Sequence, residues 1–336
     1  MILVTGGTGL VGSHLLLELV REHEEVVAIK RPGANLDGVR QVFSFYSAEA
    51  GELFDLIDWV DLDMTNDAEV ERAMIDVDRV YHCAAMISFH PREMRKMLAF
   101  NVKSTESLVN ACLETGIERM VHVSSVATIG HAQEDFPSDE TMIWARGRGS
   151  TTYSVSKFKA EMEVWRGIEE GLKAVIVNPA VILGPGFWKS GSPSLFRRVA
   201  RGLKFSTPGM TGYVGVRDVV SAMTRLMETD ISGERFILSA GDLTYASLME
   251  MIAGALDAPR KMKMISPLAL RTLARLDGAR SFFTGERVLS MEMARAAFNR
   301  YRYSAAKIRE AIGFEFTPLE EVIRQVAAIY MQDQGR

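Results

Sequence analysis

The chain has 336 residues, 47% hydrophobic and 24% charged, a balance that excludes a disordered polypeptide and supports a large core. That length is about two domains' worth of material. Its 39 Lys and Arg against 43 Asp and Glu leave a net charge of −4, which argues against a dedicated nucleic-acid binder.

Ile2 to Thr5 is a short apolar run that ends in a glycine cluster, as a first strand entering a tight loop would. Leu10 to Glu22 carries Leu15, Leu16, Leu19 and Val20 at helical spacing. Glu25 to Lys30 predicts a second strand, broken by Pro32-Gly33. Asp58 to Asp61, Val77 to Cys83 and Arg119 to Ser124 predict strands three to five. Helices are expected between them near Asp67 to Ile75 and over Arg92 to Glu114. A helix over Thr152 to Glu169 and a strand over Lys173 to Asn178 continue the alternation. The strands are apolar runs rather than in-out alternations, which predicts a parallel sheet covered on both faces. After Pro179, Gly and Pro cluster at Gly184-Pro185-Gly186, within Lys189 to Pro193, and at Pro208-Gly209, so a loop-rich pocket wall is expected. A helix over Val216 to Met227 and a strand over Glu234 to Leu238 follow. The last hundred or so residues read as mostly helical, with Gly313 closing one helix. No run of about 18 apolar residues occurs, so no membrane span is expected. The strand-like start at residue 2 predicts no leader peptide and a cytoplasmic setting. Cys83 and Cys112 fit neither a disulfide framework nor a zinc spacing and are expected as buried, reduced thiols.

Gly6-x-x-Gly9-x-x-Gly12 lies between the first strand and the first helix. Gly6 permits the tight turn, Gly9 lets a pyrophosphate approach the backbone, and Gly12 lets the helix pack closely on the sheet. The helix N-terminus then receives the negative charge. This context predicts a dinucleotide site. An acidic residue at the end of the second strand would grip the ribose 2′-hydroxyl of NAD. Here the strand ends Ile29-Lys30-Arg31, and a guanidinium suits a 2′-phosphate. NADP(H) is therefore expected, led by Arg31, with NAD(H) the alternative. Asp63 follows the third strand. It could bond the adenine amino group or cap a turn.

Tyr153 and Lys157 stand i and i+4 on a helix and share one face. A phenol titrates near 10, and a nearby ammonium would lower that value, giving a general acid/base for work beside a hydride carrier. Ser124 and Ser125 end the fifth strand, at the sheet edge where such folds bind ligands, and either hydroxyl could hold a substrate carbonyl. Neither sits in a Gly-x-Ser-x-Gly elbow, so a serine nucleophile is not expected.

With these residues in place, the chain resembles the extended short-chain dehydrogenase/reductases over nearly its whole length. The motifs are Thr5 to Gly12, His82-Cys83-Ala84-Ala85, Asn101 in Asn101-Val102-Lys103-Ser104-Thr105, and Tyr153 with Ser156, Lys157, Ala160 and Glu161. Asn178 to Gly186 and Lys307-Ile308 to Gly313-Phe314 complete the set. The resemblance implies an α/β fold, a Rossmann-type doubly wound parallel sheet with a smaller, mostly helical C-terminal substrate-binding lobe. Its cofactor domain would cover residues 1–180, with 210–240 rejoining it, and the lobe would cover 181–209 and 241–336. The family's hydroxyl residue stands five before a loop glycine that looks like Gly130, which selects Ser125. The implied triad is Ser125, Tyr153 and Lys157. The implied cofactor contacts are Gly6, Thr8, Gly9, Leu10, Val11, Gly12, Arg31, Asp63, Met64, Ala84, Ala85, Asn101, Tyr153, Lys157, Pro179 and Val181, with no metal.

Arg31, the Ala160-Glu161…Trp165 run and Asn178-Pro179 are most similar to dihydroflavonol-4-reductase-like members. That resemblance implies NADPH-dependent reduction of a ketone or aldehyde, or the reverse, on a small molecule. A nucleotide-sugar epimerase with bound NAD and a non-catalytic NADP sensor are the alternatives. A 3β-hydroxysteroid-dehydrogenase-like role also fits. A dehydratase would carry Asp-Glu where this chain has Val126-Ala127. Met94 and Met97 on one helix and Met162 on another mark the helices that pair in family dimers, so a homodimer is expected. His131 and Trp144 lie in a loop that could cover the substrate. Arg260 to Glu310 holds 12 Lys or Arg against four Asp or Glu, and could attract an anionic substrate or a membrane surface.

Overall fold

The computed structural model describes residues 1–335 except 89–91, 133–135, 148–149 and 285–289; the side chains of residues 279 and 282–284 are also outside the description. The first half runs β1 (Ile2–Thr5), α1 (Leu10–Arg21), β2 (Val26–Lys30), α2 (Asp37–Ser44), α3 (Ala50–Asp55), β3 (Asp58–Asp61), α4 (Asp67–Ala73), β4 (Arg79–His82), α5 (Met94–Thr115) and β5 (Arg119–Val123). A short 3₁₀ turn (Val126–Thr128) precedes α6 (Thr152–Glu169), β6 (Ala174–Pro179), β7 (Val181–Leu183) and α7 (Ser194–Ala200). Then come β8 (Phe205–Ser206), β9 (Met210–Gly215), α8 (Val216–Met227), β10 (Glu234–Leu238), β11 (Gly241–Thr244), α9 (Tyr245–Ala255) and β12 (Lys263–Met264). The chain ends in α10 (Pro267–Thr284), α11 (Met291–Ala296), α12 (Ala306–Ile312) and α13 (Leu319–Asp333).

The main sheet has seven strands in the order β10-β6-β5-β4-β1-β2-β3, all pairs parallel. Strand order reverses between β1 and β4, so a ligand crevice opens beyond their carboxyl ends. Both faces are covered, which is why the strands read as apolar runs. On one face Val4, Tyr81, Val121 and Val177 pack with Leu15 and Leu19 of α1, Met223 of α8 and Ile308 of α12. On the other, Leu3, Val80, Met120 and Ile176 pack with Val70 of α4, Leu108 and Cys112 of α5 and Val164 of α6. Removing one such leucine costs about 2–5 kcal/mol in lost transfer energy and cavity formation.

Helix ends follow their signals. Gly116 closes α5 at φ +67° and Gly313 closes α12 at φ +59°. Thr151 and Ser154 form a reciprocal capping box that starts α6 immediately before Tyr153. A Cβ on Gly167 would stand 2.5 Å from Val109, so this glycine lets α6 close on α5.

The second half departs from the sequence reading in two ways. Met210 to Gly215 belong to a separate three-stranded sheet, β11-β9-β7, while α8 and β10 lie with the main sheet. The C-terminal region is helical but also contains this sheet and the β12-β8 pair. Its core is Trp188, Phe196, Tyr213, Leu248, Ile323 and Tyr330. Among the described residues, no helix is long and apolar enough to cross a membrane.

Candidate active site

The β1–α1 turn is shaped by its glycines. Gly6 adopts φ +70°, and a Cβ there would stand 2.6 Å from the Ala84 nitrogen and the Cys83 carbonyl carbon. The turn therefore lies directly on the end of β4. A Cβ on Gly12 would reach 2.2 Å from the Gly6 oxygen. Gly9 differs: its nearest neighbour would be the Gly6 oxygen at 3.4 Å, so a Cβ there would point into open space. Gly9 also begins α1 with no side chain capping the helix. An uncapped helix N-terminus behind a bare Cα fits a pyrophosphate. Thr8 lies in the same turn, and Leu10 and Val11 are the first residues of α1.

At the end of β2, Lys30 is paired with Asp61 at 2.5 Å. Arg31, the next residue, is exposed. Asp63 accepts from the Thr65 nitrogen at 2.9 Å and from its hydroxyl at 2.8 Å. These bonds hold its carboxyl below the usual range and make it a turn-forming aspartate through Oδ1. Met64 is buried in the core, so its side chain belongs to the packing.

Asn101 is buried and crosses between elements. Its oxygen accepts from the Met86 nitrogen at 2.7 Å, and its amide donates to the Met86 oxygen at 3.0 Å and to Ser156 Oγ at 3.2 Å. It thus fixes the loop carrying Ala84 and Ala85 against the helix carrying Lys157. His82 bridges Thr5 Oγ1 at 2.7 Å and Thr105 Oγ1 at 2.9 Å. Burial lowers its pKa to about 3, and that of neighbouring His122 well below the usual value, so both rings are neutral under the sheet end.

The two serines separate cleanly. Ser124 is buried and donates to Glu161 Oε2 at 2.5 Å. Ser125 shares a hydrogen bond with Tyr153, and its Oγ accepts from the Ala127 nitrogen at 3.2 Å. Lys157 is 3% exposed and donates to the Val123 oxygen at 2.9 Å. Burial lowers its pKa to about 8. Tyr153 moves the other way. Burial raises its pKa, and the group that pulls it back is Ser125, not the Lys157 ammonium expected from the sequence. Ser125, Tyr153 and Lys157 are thus brought together at the carboxyl end of β5. Pro179 ends β6 nearby in the sheet, and Val181 opens β7.

Met97 is fully buried, Met94 is half-buried and accepts from Thr152 Oγ1 through sulfur at 3.3 Å, and Met162 is 46% exposed. His131 stacks on Tyr301 at 3.9 Å and Trp144 on Phe158 at 4.4 Å, while parts of their loop, 133–135 and 148–149, lie outside the described residues. Much of the basic segment is engaged in the fold: Lys307 pairs with Glu234, Arg280 with Asp277 and Lys261 with Glu250. Its residues 286 and 287 are outside the description. A cavity of about 350 Å³ is lined by His14, Tyr46, Arg217 and Val326, away from the triad. Among the described residues, no group of three potential metal ligands occurs.

A profile of the NAD dependent epimerase/dehydratase family matches residues 2–239. The chain belongs to the NAD dependent epimerase/dehydratase family. Sterol demethylase protein B of Methylococcus capsulatus is 29% identical over 282 residues, covering 82% of this chain and 80% of that protein. A putative dihydroflavonol 4-reductase of Synechocystis is 28% identical over 254 residues, covering 73% of this chain and 69% of that protein. UDP-glucose 4-epimerase of Thermotoga maritima, solved with UDP-glucose, shares the fold at TM-score 0.78 and 20% identity, over 99% of each chain. Relatives of the epimerase/dehydratase family are reductases, dehydratases and epimerases, and this chain is an enzyme of that NAD(P)-binding family.

The sequence reading did not include Glu161, Asn178, Thr128 or Arg235 among the site residues. Each lies on a different element or turn, and only the fold joins them. The available signals were the family motifs, which contain Glu161 and Asn178.

Proposed function

We propose that this enzyme is an NADPH-dependent reductase that interconverts a ketone or aldehyde and an alcohol. The observation that carries the reading is the meeting of the Ser125 and Tyr153 hydroxyls beside buried Lys157, at the end of β5, with only β4 between that strand and β1. NADPH, when bound, would supply the hydride that the carbonyl carbon takes up. Ser125 and Tyr153 hold the carbonyl oxygen by hydrogen bonds, which stabilise the charge that develops there. Tyr153 gives its proton to that oxygen. Its raised pKa keeps the phenol protonated at neutral pH, which suits proton donation and hence reduction. Lys157 holds the cofactor ribose hydroxyls. Gly9 and the start of α1 receive the pyrophosphate, Ala84, Ala85, Pro179 and Val181 line the cofactor, and Arg31 meets a 2′-phosphate.

Arg31 favours this reading over a nucleotide-sugar epimerase that retains NAD. The curated dihydroflavonol 4-reductase relatives point the same way. Flavonoid substrates do not follow from them. The helix face around exposed Met162 is where a homodimer of the family type would form.

The test is NADPH consumption by the purified protein over a panel of aliphatic, aromatic and steroidal ketones and aldehydes. Turnover with at least one carbonyl class supports the reading. No turnover across the panel, with NAD retained through purification, favours the epimerase. NADPH binding without turnover favours a sensor.

A further inference from the structure

The side chain that joins the parts of the site is a carboxylate outside the triad. Glu161 stands one helical turn beyond Lys157 on α6 and is 1% exposed. One oxygen, Oε2, accepts from Ser124 Oγ at 2.5 Å, Thr128 Oγ1 at 2.6 Å and Asn178 Nδ2 at 3.0 Å. The other, Oε1, accepts from Trp165 Nε1 at 3.3 Å and Arg235 Nη1 at 3.2 Å. Five donors on one buried carboxylate fit its ionised form, since a protonated acid would bring a further donor into a ring of donors.

The placement of these donors is selective. Ser124 and Thr128 flank Ser125 in the turn after β5, and both are tied to the same oxygen. Asn178 also donates to the Ser125 carbonyl oxygen at 3.2 Å. Glu161 shares its helix with Tyr153 and Lys157. One carboxylate therefore fixes the turn that presents the Ser125 hydroxyl relative to the helix that presents the phenol and the ammonium.

We infer that Glu161 is a positioning residue for the reaction, holding Ser125 in line with Tyr153 and keeping Lys157 charged. The inference rests on the triad reading above. Its electrostatic half follows from the surroundings of Lys157. The groups acting on it or feeling its charge are Glu161 on α6, Cys83 and His82 on β4, and His122 on β5. Burial keeps the Cys83 thiol protonated, with its pKa near 12, and both histidines neutral. Against these neighbours the Glu161 carboxylate, itself paired with Arg235 at 3.2 Å, is the group that favours the ammonium.

The experiment compares wild type with Glu161→Gln and with a Ser124→Ala/Thr128→Val double variant. NADPH-linked turnover and NADPH binding by fluorescence are followed from pH 6 to 10. Glu161→Gln should shift the alkaline loss of both turnover and NADPH binding to lower pH by about one unit, because the neutral amide no longer supports the Lys157 charge. The double variant keeps the charge and frees the turn. Its kcat should fall about tenfold to a hundredfold, with NADPH affinity and the alkaline limit unchanged. A folded Glu161→Gln protein with an unmoved alkaline limit overturns the electrostatic half. A double variant with wild-type kcat overturns the positioning half and decides that half if Glu161→Gln does not fold. If wild type reduces no carbonyl, the proposed reductase function fails, while the pH dependence of NADPH binding still tests the Glu161–Lys157 coupling.

Discussion

The Lys157 ammonium donates to the Val123 carbonyl oxygen at 2.9 Å from a position almost wholly removed from water. Burial moves its pKa from 10.5 to about 8. The folded state then releases this proton more readily than the unfolded chain. Its contribution makes stability rise with pH between about 8 and 10.5. At neutral pH the buried charge is a cost. Lys157→Met should abolish turnover, by about a thousandfold or more, and leave the protein at least as stable as wild type at pH 7. Thermal unfolding and NADPH-linked assays of the same preparation check both halves. A clear loss of stability at pH 7 would show that the ammonium supports the fold.

Three buried histidines set the acid limit. His14 is lowered to about 4 and His82 to about 3, both by burial, and His122 moves in the same direction. The unfolded chain takes up these protons near pH 6.5, before the folded protein can. Stability from these groups is complete above about 6.5 and is lost as pH falls towards about 4 and 3. The midpoint of thermal unfolding should fall steeply from pH 6.5 to 4, and His122→Phe should flatten that slope. A midpoint that does not change over this range contradicts the neutral-histidine account.

Two glycines of the β1–α1 turn should respond differently to alanine. At Gly12 the Cβ would meet the Gly6 oxygen at 2.2 Å, whereas at Gly9 the approach is 3.4 Å. Gly12→Ala should cost stability, about 1–3 kcal/mol, as well as cofactor affinity. Gly9→Ala should unfold like wild type and lose NADPH affinity, because the added methyl occupies the space assigned to the pyrophosphate. Paired thermal melts and NADPH titrations separate the two. Equal NADPH affinity in Gly9→Ala and wild type would move the pyrophosphate elsewhere.

Much of the sheet was legible because its central strands β1, β4, β5 and β6 are buried on both faces and most of its strands alternate with helices. Asp58 to Asp61 were placed as a strand with the observed limits. The β7-β9-β11 sheet was not legible. Its strands are short, and Gly212, Gly215 and Gly241 give them the texture of loops. Helices α2 and α3 were missed because eight and six residues are too few to establish a period. Spacing and resemblance name the residues of the proposed triad. The residues alone leave Ser124 and Ser125 open and the resemblance selects Ser125; the fold gives the two hydroxyls different partners, Glu161 for Ser124 and Tyr153 for Ser125. Glu161 was harder still, since its donors come from β6, β10, α6 and the turn after β5.

Cofactor choice should turn on one side chain. Lys30 is held by Asp61, and exposed Arg31 is the cation we propose for a 2′-phosphate. Arg31→Ser should weaken NADPH binding by about tenfold or more, roughly one charge-assisted hydrogen-bonded contact, and leave NADH affinity within about twofold. Fluorescence titration with both nucleotides measures it. Equal loss for both would mean that Arg31 acts on the loop rather than on the phosphate.

The most direct measurement of the central claim compares wild type with Tyr153→Phe, which removes one oxygen from a site otherwise intact. NADPH binding and the rate of NADPH-linked reduction of a carbonyl that wild type turns over should be followed on the same preparations. The expected result is NADPH affinity within about twofold of wild type and a reduction rate lower by about a hundredfold or more, as loss of a general acid requires. A Tyr153→Phe enzyme that reduces the carbonyl at the wild-type rate would contradict the account.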